Sequence, residues 1–268
     1  MSLRTDIKSN WSLTLATTRV LCWTGSWRAH KEFGDGHIAG TVPWQDMRYA
    51  LFSSGGKDSL LALDRARRQG LDVGHMVNIY EGTSGRVRFH GVRQQLIAAQ
   101  AQVVGLSLIQ KNTHPDTFEQ AFGRAMQDLK EAAVGGILFG NIHLADIRAW
   151  YEERTTAQGF KHVEPLWGDS PSQLIREFVS RSHRARVVSV YLSCGRREWL
   201  GRDLSGDFIT ELERCQDVDV CGERGEYHTF AFGGPLFQHS LELRDGPQFE
   251  IENHLILDFQ NAAKAENP

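Results

Sequence analysis

The first clear pattern along the chain is a short apolar run, Met47-Arg-Tyr-Ala-Leu-Phe52, halted by Ser53-Ser54-Gly55-Gly56. Leu60, Leu61, Leu63 and Ala66 then recur at helical spacing, so the segment reads as strand, tight turn, helix. The alternation continues. Asp72 to Ile79 reads as a strand, and Phe89 to Val104 places Val92, Leu96, Ile97, Ala101 and Val104 on one helical face. Leu106 to Ile109 is a short strand, Asp116 to Ala133 carries Phe118, Ala121, Phe122, Ala125 and Leu129 at core spacing, and Gly136 to Phe139 reads as a buried strand. Strands joined by helical crossovers predict an α/β fold with a doubly wound parallel sheet and its ligand site at the carboxyl ends of the strands. Ser54 lies at one such end, and Gly140 and Asn141 at another.

Beyond Trp150 the texture loosens. Pro165-Leu-Trp167 is followed by a helix from Pro171 to Val179, an apolar strand from Arg186 to Leu192, a loop carrying Trp199, and a terminal hairpin within Leu241–Phe259. The expected organisation is a nucleotide-binding domain over 47–160, a smaller α+β domain over 161–268 that holds an acceptor, and an extension over 1–46 without a clean period. Met47 is the expected natural start, and the tail Asn261 to Pro268 is expected to fray.

Composition narrows the class. With 41% hydrophobic and 24% charged residues among 268, the chain is globular rather than disordered or fibrous. A formal net charge of -3 removes any whole-chain basic field, which weighs against a nucleic-acid partner. Trp11 to Trp23 is too short and too polar to span a membrane. Cys22, Cys194, Cys215 and Cys221 show no C-x-x-C spacing, which argues against a zinc knuckle or disulfide framework and predicts a reducing, cytoplasmic setting.

Two segments concentrate chemistry. In the turn after the first strand, glycines at 55 and 56 leave room for an anion beside the amides and positive dipole of a helix N-terminus. It is not a Walker A loop, which would need glycine at Leu51, nor a G-x-G-x-x-G fingerprint. Ser54 and Ser59 offer hydroxyls to phosphate oxygens, Lys57 offers charge, and Asp58 offers either a magnesium ligand or a group that orients the loop. The second segment, Cys221-Gly-Glu-Arg-Gly-Glu-Tyr-His-Thr-Phe230, gathers two carboxylates, two glycines and a histidine before an apolar strand. Its carboxylates suit a cation, magnesium or an ammonium-derived nucleophile. Arg181, His183, Arg184 and Arg186 form a further basic cluster suited to an acidic protein surface or a solvated helix end.

Ser54-Gly55-Gly56-Lys57-Asp58-Ser59 resembles the S-G-G-x-D-S signature of the PP-loop ATP pyrophosphatases. The run from Gly222 to Phe237 is similar to the G-E-x-G-E-[FY]-x-T block of the diphthine–ammonia ligase (diphthamide synthase) family, as are Gly140-Asn141-Ile142, Pro165-Leu166-Trp167 and His90-Gly-Val-Arg93 in the same order, with a bacterial-type texture. Asn141 stands where that family often has aspartate. The resemblance implies an adenine nucleotide alpha hydrolase-like fold and an ATP-dependent amide ligase that adenylates a carboxylate, releases pyrophosphate and transfers ammonia. It implies ATP and Mg2+ as cofactors, ammonium as co-substrate, and elongation factor 2 as the protein acceptor, a small carboxylate being the alternative. By the same resemblance Lys57, Asp58, Glu223 and Glu226 are catalytic, with Asp58 holding magnesium. Ser54, Gly55, Gly56, Ser59, Gly140 and Asn141 join Lys57 and Asp58 in binding the nucleotide, and Gly222, Gly225, His228 and Thr229 join the two glutamates in binding the acceptor. Other readings compatible with the loop are tRNA modification and a non-catalytic ATP-binding module.

Overall fold

A computed structural model describes residues 46–114 and 117–260. The expected extension, save Asp46, and the tail Asn261 to Pro268 lie outside the described residues. Five strands, β1 (Arg48–Phe52), β2 (Asp72–Tyr80), β3 (Ser107–Asn112), β4 (Gly136–Leu138) and β5 (Lys161–Val163), pair in parallel in the order β3-β2-β1-β4-β5. Successive strand residues face opposite sides of a sheet, and these strands feed two cores. Tyr49 and Leu51 enter one and Ala50 the other; Met76 and Leu138 side with Leu51, Val77 and Ile137 with Ala50. Burial on both faces is why the strands read as unbroken apolar runs.

Helices α1 (Lys57–Arg68) and α2 (Gln94–Val104) pack into the Leu51 core, and α3 (Phe118–Glu131) packs Phe122, Met126 and Leu129 into the Ala50 core. The last first-sheet helix, α4 (Ala145–Ala157), adds Trp150 and Tyr151 to that second core. Helix α3 opens on a capping box, in which Thr117 Oγ1 accepts from the Gln120 amide while the Gln120 side chain accepts from the Thr117 amide. Between β1 and β4 the strand order reverses, so the segments leaving both strands border the crevice where such sheets bind ligands.

The expected helix over Phe89 to Val104 begins only at Gln94. Phe89 and Gly91 adopt left-handed backbone, φ +63° and +69°, and the Val87 amide closes a turn onto the Val92 carbonyl. Val92 faces the core from that turn, which is why its spacing mimics a helical position.

The second sheet is antiparallel. Its strands β6 (Arg184–Tyr191), β7 (Tyr227–Gly233), β8 (Asp245–Ile251) and β9 (His254–Phe259) run in the order β7-β6-β9-β8 and are accompanied by α5 (Pro171–Ser180) and α6 (Gly206–Arg214). The terminal hairpin turns at Glu252-Asn253, with φ +48° and +65°, the left-handed pair a two-residue loop requires; Asp245-Gly246-Pro247 instead opens β8. Val187, Phe230 and Trp199 share the Leu51 core, so both sheets bury their apolar faces together. The expected division after residue 160 falls just before β5, which closes one edge of the first sheet. Much of the basic cluster is paired internally: Arg181 pairs with Asp64, and Arg186 with Asp203 and Asp245.

Candidate functional site

Between β1 and α1 the chain turns on Gly55, at φ +87°, where an added Cβ would sit 2.5 Å from Ile97 Cδ1. Only glycine fits that turn. Gly56 caps α1 without any side-chain cap, so the first-turn amides of Asp58 and Ser59 are left open for an anion. Ser53 Oγ accepts from the Gly55 amide at 3.0 Å and lies 2.8 Å from Ser59 Oγ, which donates to the Gly56 carbonyl at 3.0 Å. The second sheet clamps the loop from above. Thr229 Oγ1 on β7 accepts from the Lys57 amide at 3.1 Å, the Ala231 amide donates to the Gly55 carbonyl at 2.9 Å, and Gln100 Nε2 donates to both Gly55 and Ala231 carbonyls.

Against this loop lies a cavity of about 340 Å³. Of the residues singled out by sequence, Ser54, Gly56, Lys57, Asp58, Ser59, Gly140, Asn141, Gly222, Glu223, His228 and Thr229 line it. The two separate motif blocks therefore face one space. Three are not in its walls: Gly55 and Gly225 shape turns, and Glu226 is buried with both carboxylate oxygens on backbone amides, Asp219 N at 2.6 Å and Arg224 N at 3.1 Å. Glu226 thus braces the loop that carries Glu223. Gly140 lets the segment after β4 approach α1; a Cβ there would lie 2.7 Å from Ser59 N. The apolar part of the wall comes from Phe52, Phe139, Leu144, Ile147 and Tyr151.

Lys57 is 4% exposed, bonded by Nζ to Asp58 Oδ2 at 2.8 Å and to the Cys221 carbonyl, and it stands 5.5 Å over the Tyr227 ring. Burial alone would lower its pKa, but Asp58 and the polar groups of Tyr227, Cys221 and Glu223 hold it well above its ordinary value. Asp58 is raised, first by burial and then by Asp219, against the pull of Lys57. Burial and the neighbouring Asp58 push Glu223 up to about 8, with Lys57 opposing. Burial lowers His90 to about 4, although Nδ1–H donates to the Thr229 carbonyl at 3.2 Å, and burial with His90 and His254 lowers His228 well below its usual range. Both rings are therefore neutral at pH 7.

Asn141 Nδ2 donates to Glu164 Oε1 at 2.6 Å, and His162 Nε2 approaches the same oxygen at 3.0 Å. Asp219 and Glu164 carry no motif signal of their own, and only their placement near the matched residues reveals them; His90 and Tyr227 lie within matched motifs that assign them no site role. Trp150 packs with Phe118 and Phe122, and Trp167 lies under the Arg148 guanidinium at 4.6 Å, so neither lines the cavity. Cys194, Cys215 and Cys221 are free thiols. Among the described residues no cluster of three His, Cys, Asp or Glu side chains could hold a metal by itself. Magnesium is commonly held by one or two carboxylates plus substrate phosphates, and Asp58 fits that donor set. No described helix is long and apolar enough to cross a membrane.

A parallel sheet with a glycine loop at its switch point, a buried lysine in that loop and an enclosing second sheet defines a PP-loop nucleotide-binding protein of adenine nucleotide alpha hydrolase-like fold. Residues 47–162 match the diphthamide synthase N-terminal domain and residues 170–265 the diphthamide synthase C-terminal domain, and the chain belongs to the diphthamide synthase family. Among curated relatives, the diphthine–ammonia ligase of Homo sapiens is 26% identical over 219 residues, covering 73% of this chain and 82% of that protein. The ligases of Rattus norvegicus and Danio rerio are 24% and 25% identical over the same length, covering 73% of this chain and 82% and 86% of their own.

Proposed function

We propose that the chain is an ATP-dependent ligase that forms a C–N bond by amidating diphthine on elongation factor 2 with ammonium, residues 47–160 holding the nucleotide and residues 161–268 the acceptor. The observation that carries this reading is that Lys57, the open N-terminus of α1 and Glu223 share one cavity with the neutral rings of His90 and His228. The β and γ phosphates of ATP rest on the amides of Gly56, Asp58 and Ser59 and on the Lys57 ammonium, and the base lies against the apolar wall around Phe139 and Tyr151. Asp58, with the phosphates, would hold magnesium, which would supply charge neutralisation for the departing pyrophosphate.

An oxygen of the acceptor carboxylate attacks the α-phosphorus, the bond to the β-phosphate oxygen breaks, and pyrophosphate leaves on the loop. Adenylation turns a poor leaving group into AMP. Ammonia then attacks the acyl carbon, AMP departs, and the nitrogen sheds one proton. Glu223, raised to about 8, is tuned to take a proton from ammonium-derived nitrogen near neutral pH. The free thiols accord with work in the cytoplasm.

Incubation with magnesium-ATP, ammonium and diphthine-bearing elongation factor 2 tests the reading. AMP with pyrophosphate and a one-for-one loss of acceptor carboxylate are expected, and Glu223→Gln should cut turnover about 100-fold with little change in ATP affinity. ADP as the product, or AMP formed at the same rate without ammonium or acceptor, would overturn it.

A further inference from the structure

Tyr191, His228 and His254 lie on one face of the second sheet by register: His228 stands opposite Ser189, His254 opposite Tyr191, and Ser189 and Tyr191 are two residues apart on β6. Phe89 reaches over them from the turn before α2. Its ring is 6.2 Å from that of His228 at an interplanar angle of 19° and 5.5 Å from that of His254; Tyr191 and His254 stack at 4.8 Å, and His228 and His90 lie at 4.5 Å. Five rings thus form a continuous π surface that starts in the cavity wall at His90 and His228 and emerges at Phe89, which is 48% exposed.

Two features are costly without a ligand. A phenylalanine at φ +63° is strained, and its exposed ring buries little in return. One face of that ring already takes a cation, the Arg88 guanidinium at 4.9 Å from its centroid.

Resting on the acceptor reading above, we infer that Phe89, His228, His254 and Tyr191 form the subsite that binds a quaternary ammonium group on the acceptor side chain. Aromatic faces hold such a group electrostatically while it keeps no hydrogen-bonding proton to satisfy. Neutral imidazoles serve as π surfaces where imidazolium would repel, and burial keeps His90 and His228 neutral. Diphthine is a histidine derivative whose arm bears both a carboxylate and a trimethylammonium group, so the platform would hold one end of the arm while the other reaches the loop. Such a subsite discriminates by charge rather than by shape, and amidation leaves the charge untouched.

The test compares a peptide bearing diphthine with an isostere in which tert-butyl replaces trimethylammonium, binding each to the full chain in the presence of a non-hydrolysable ATP analogue. The unaltered protein should prefer the charged peptide about tenfold. Phe89→Asn removes the ring yet suits left-handed backbone, so the fold is retained; the preference should fall to within about twofold, and Phe89→Tyr should restore it. His254→Leu provides an independent reduction. Equal affinity of the unaltered protein for both peptides, or a preference undiminished in Phe89→Asn and His254→Leu, would overturn the subsite while leaving the ligase reading intact. Failure of the unaltered protein to bind either peptide would instead overturn the acceptor reading, and the subsite with it.

Discussion

Gly140→Ala tests whether the two strand ends that border the cavity are held at the separation the site requires. A Cβ at residue 140 would stand 2.7 Å from Ser59 N, 2.8 Å from Asp58 C and 3.0 Å from Asp58 O. These are backbone atoms of the first turn of α1, so no side-chain rotation relieves the clash; either that turn or the β4–α4 segment must shift. Overpacking of this kind costs about 1–3 kcal/mol. Because both displaced segments line the cavity, the cost falls on nucleotide binding, and at about 1.4 kcal/mol per tenfold it weakens ATP affinity by about 5- to 150-fold. Isothermal titration with a non-hydrolysable ATP analogue reads the affinity, and calorimetric melting shows how much of the cost reaches the fold. An ATP affinity within twofold of the unaltered protein, with unchanged melting, would refute the idea that Gly140 sets this separation.

Other substitutions probe neighbouring links. Gly123→Ala, on α3 where nothing lies within 4 Å of the added Cβ, should stabilise by about 1 kcal/mol and raise Tm by about 2–4 °C, leaving ATP affinity unaltered by titration. Thr229→Val leaves the Lys57 amide unpaired at the junction of the two sheets, costing about 1–3 kcal/mol and about 2–12 °C in Tm, whereas Thr229→Ser should melt close to the unaltered protein. Hydrogen bonds from Arg93 and Arg86 hold Asp258 below its usual range against the opposing effect of burial, so the stability it contributes is present above the ordinary carboxylate range and lost as pH falls; urea unfolding of Asp258→Asn and the unaltered protein should converge in acid. Glu223 is the opposite case: raised to about 8, its contribution to the nucleotide-free fold is fully present below its unfolded value and lost as pH rises through about 8, so the Tm of the unaltered protein should fall relative to that of Glu223→Gln across that window.

The phosphate loop was legible because its signals are local. An apolar strand, two glycines and a helix of Leu60, Leu61 and Leu63 lie within about twenty residues, and each is needed for the next to work. The parallel sheet was legible for the same reason, through strands short enough and helices long enough to tell apart. Glu223 and Glu226 were not separable in sequence. They lie three apart in one glycine-rich loop, and only the fold sends Glu223 to the cavity while Glu226 binds the amides of Asp219 and Arg224. The turn from Phe89 to Arg93 was misread as helix because Val92 falls at a helical interval, though left-handed Gly91 prevents one. The platform of Phe89, Tyr191, His228 and His254 has no sequence signature, since strands β6, β7 and β9 and a distant turn must assemble before its rings meet.

Whether the acceptor carboxylate attacks the α-phosphorus is answered most directly by labelling that carboxylate with oxygen-18 and following the label through one turnover. Adenylation at the Ser54–Ser59 loop transfers one labelled oxygen to AMP and leaves pyrophosphate unlabelled. Label recovered in inorganic phosphate, with ADP as the nucleotide product, would mean attack on the terminal phosphate and would contradict the chemistry assigned to this cavity.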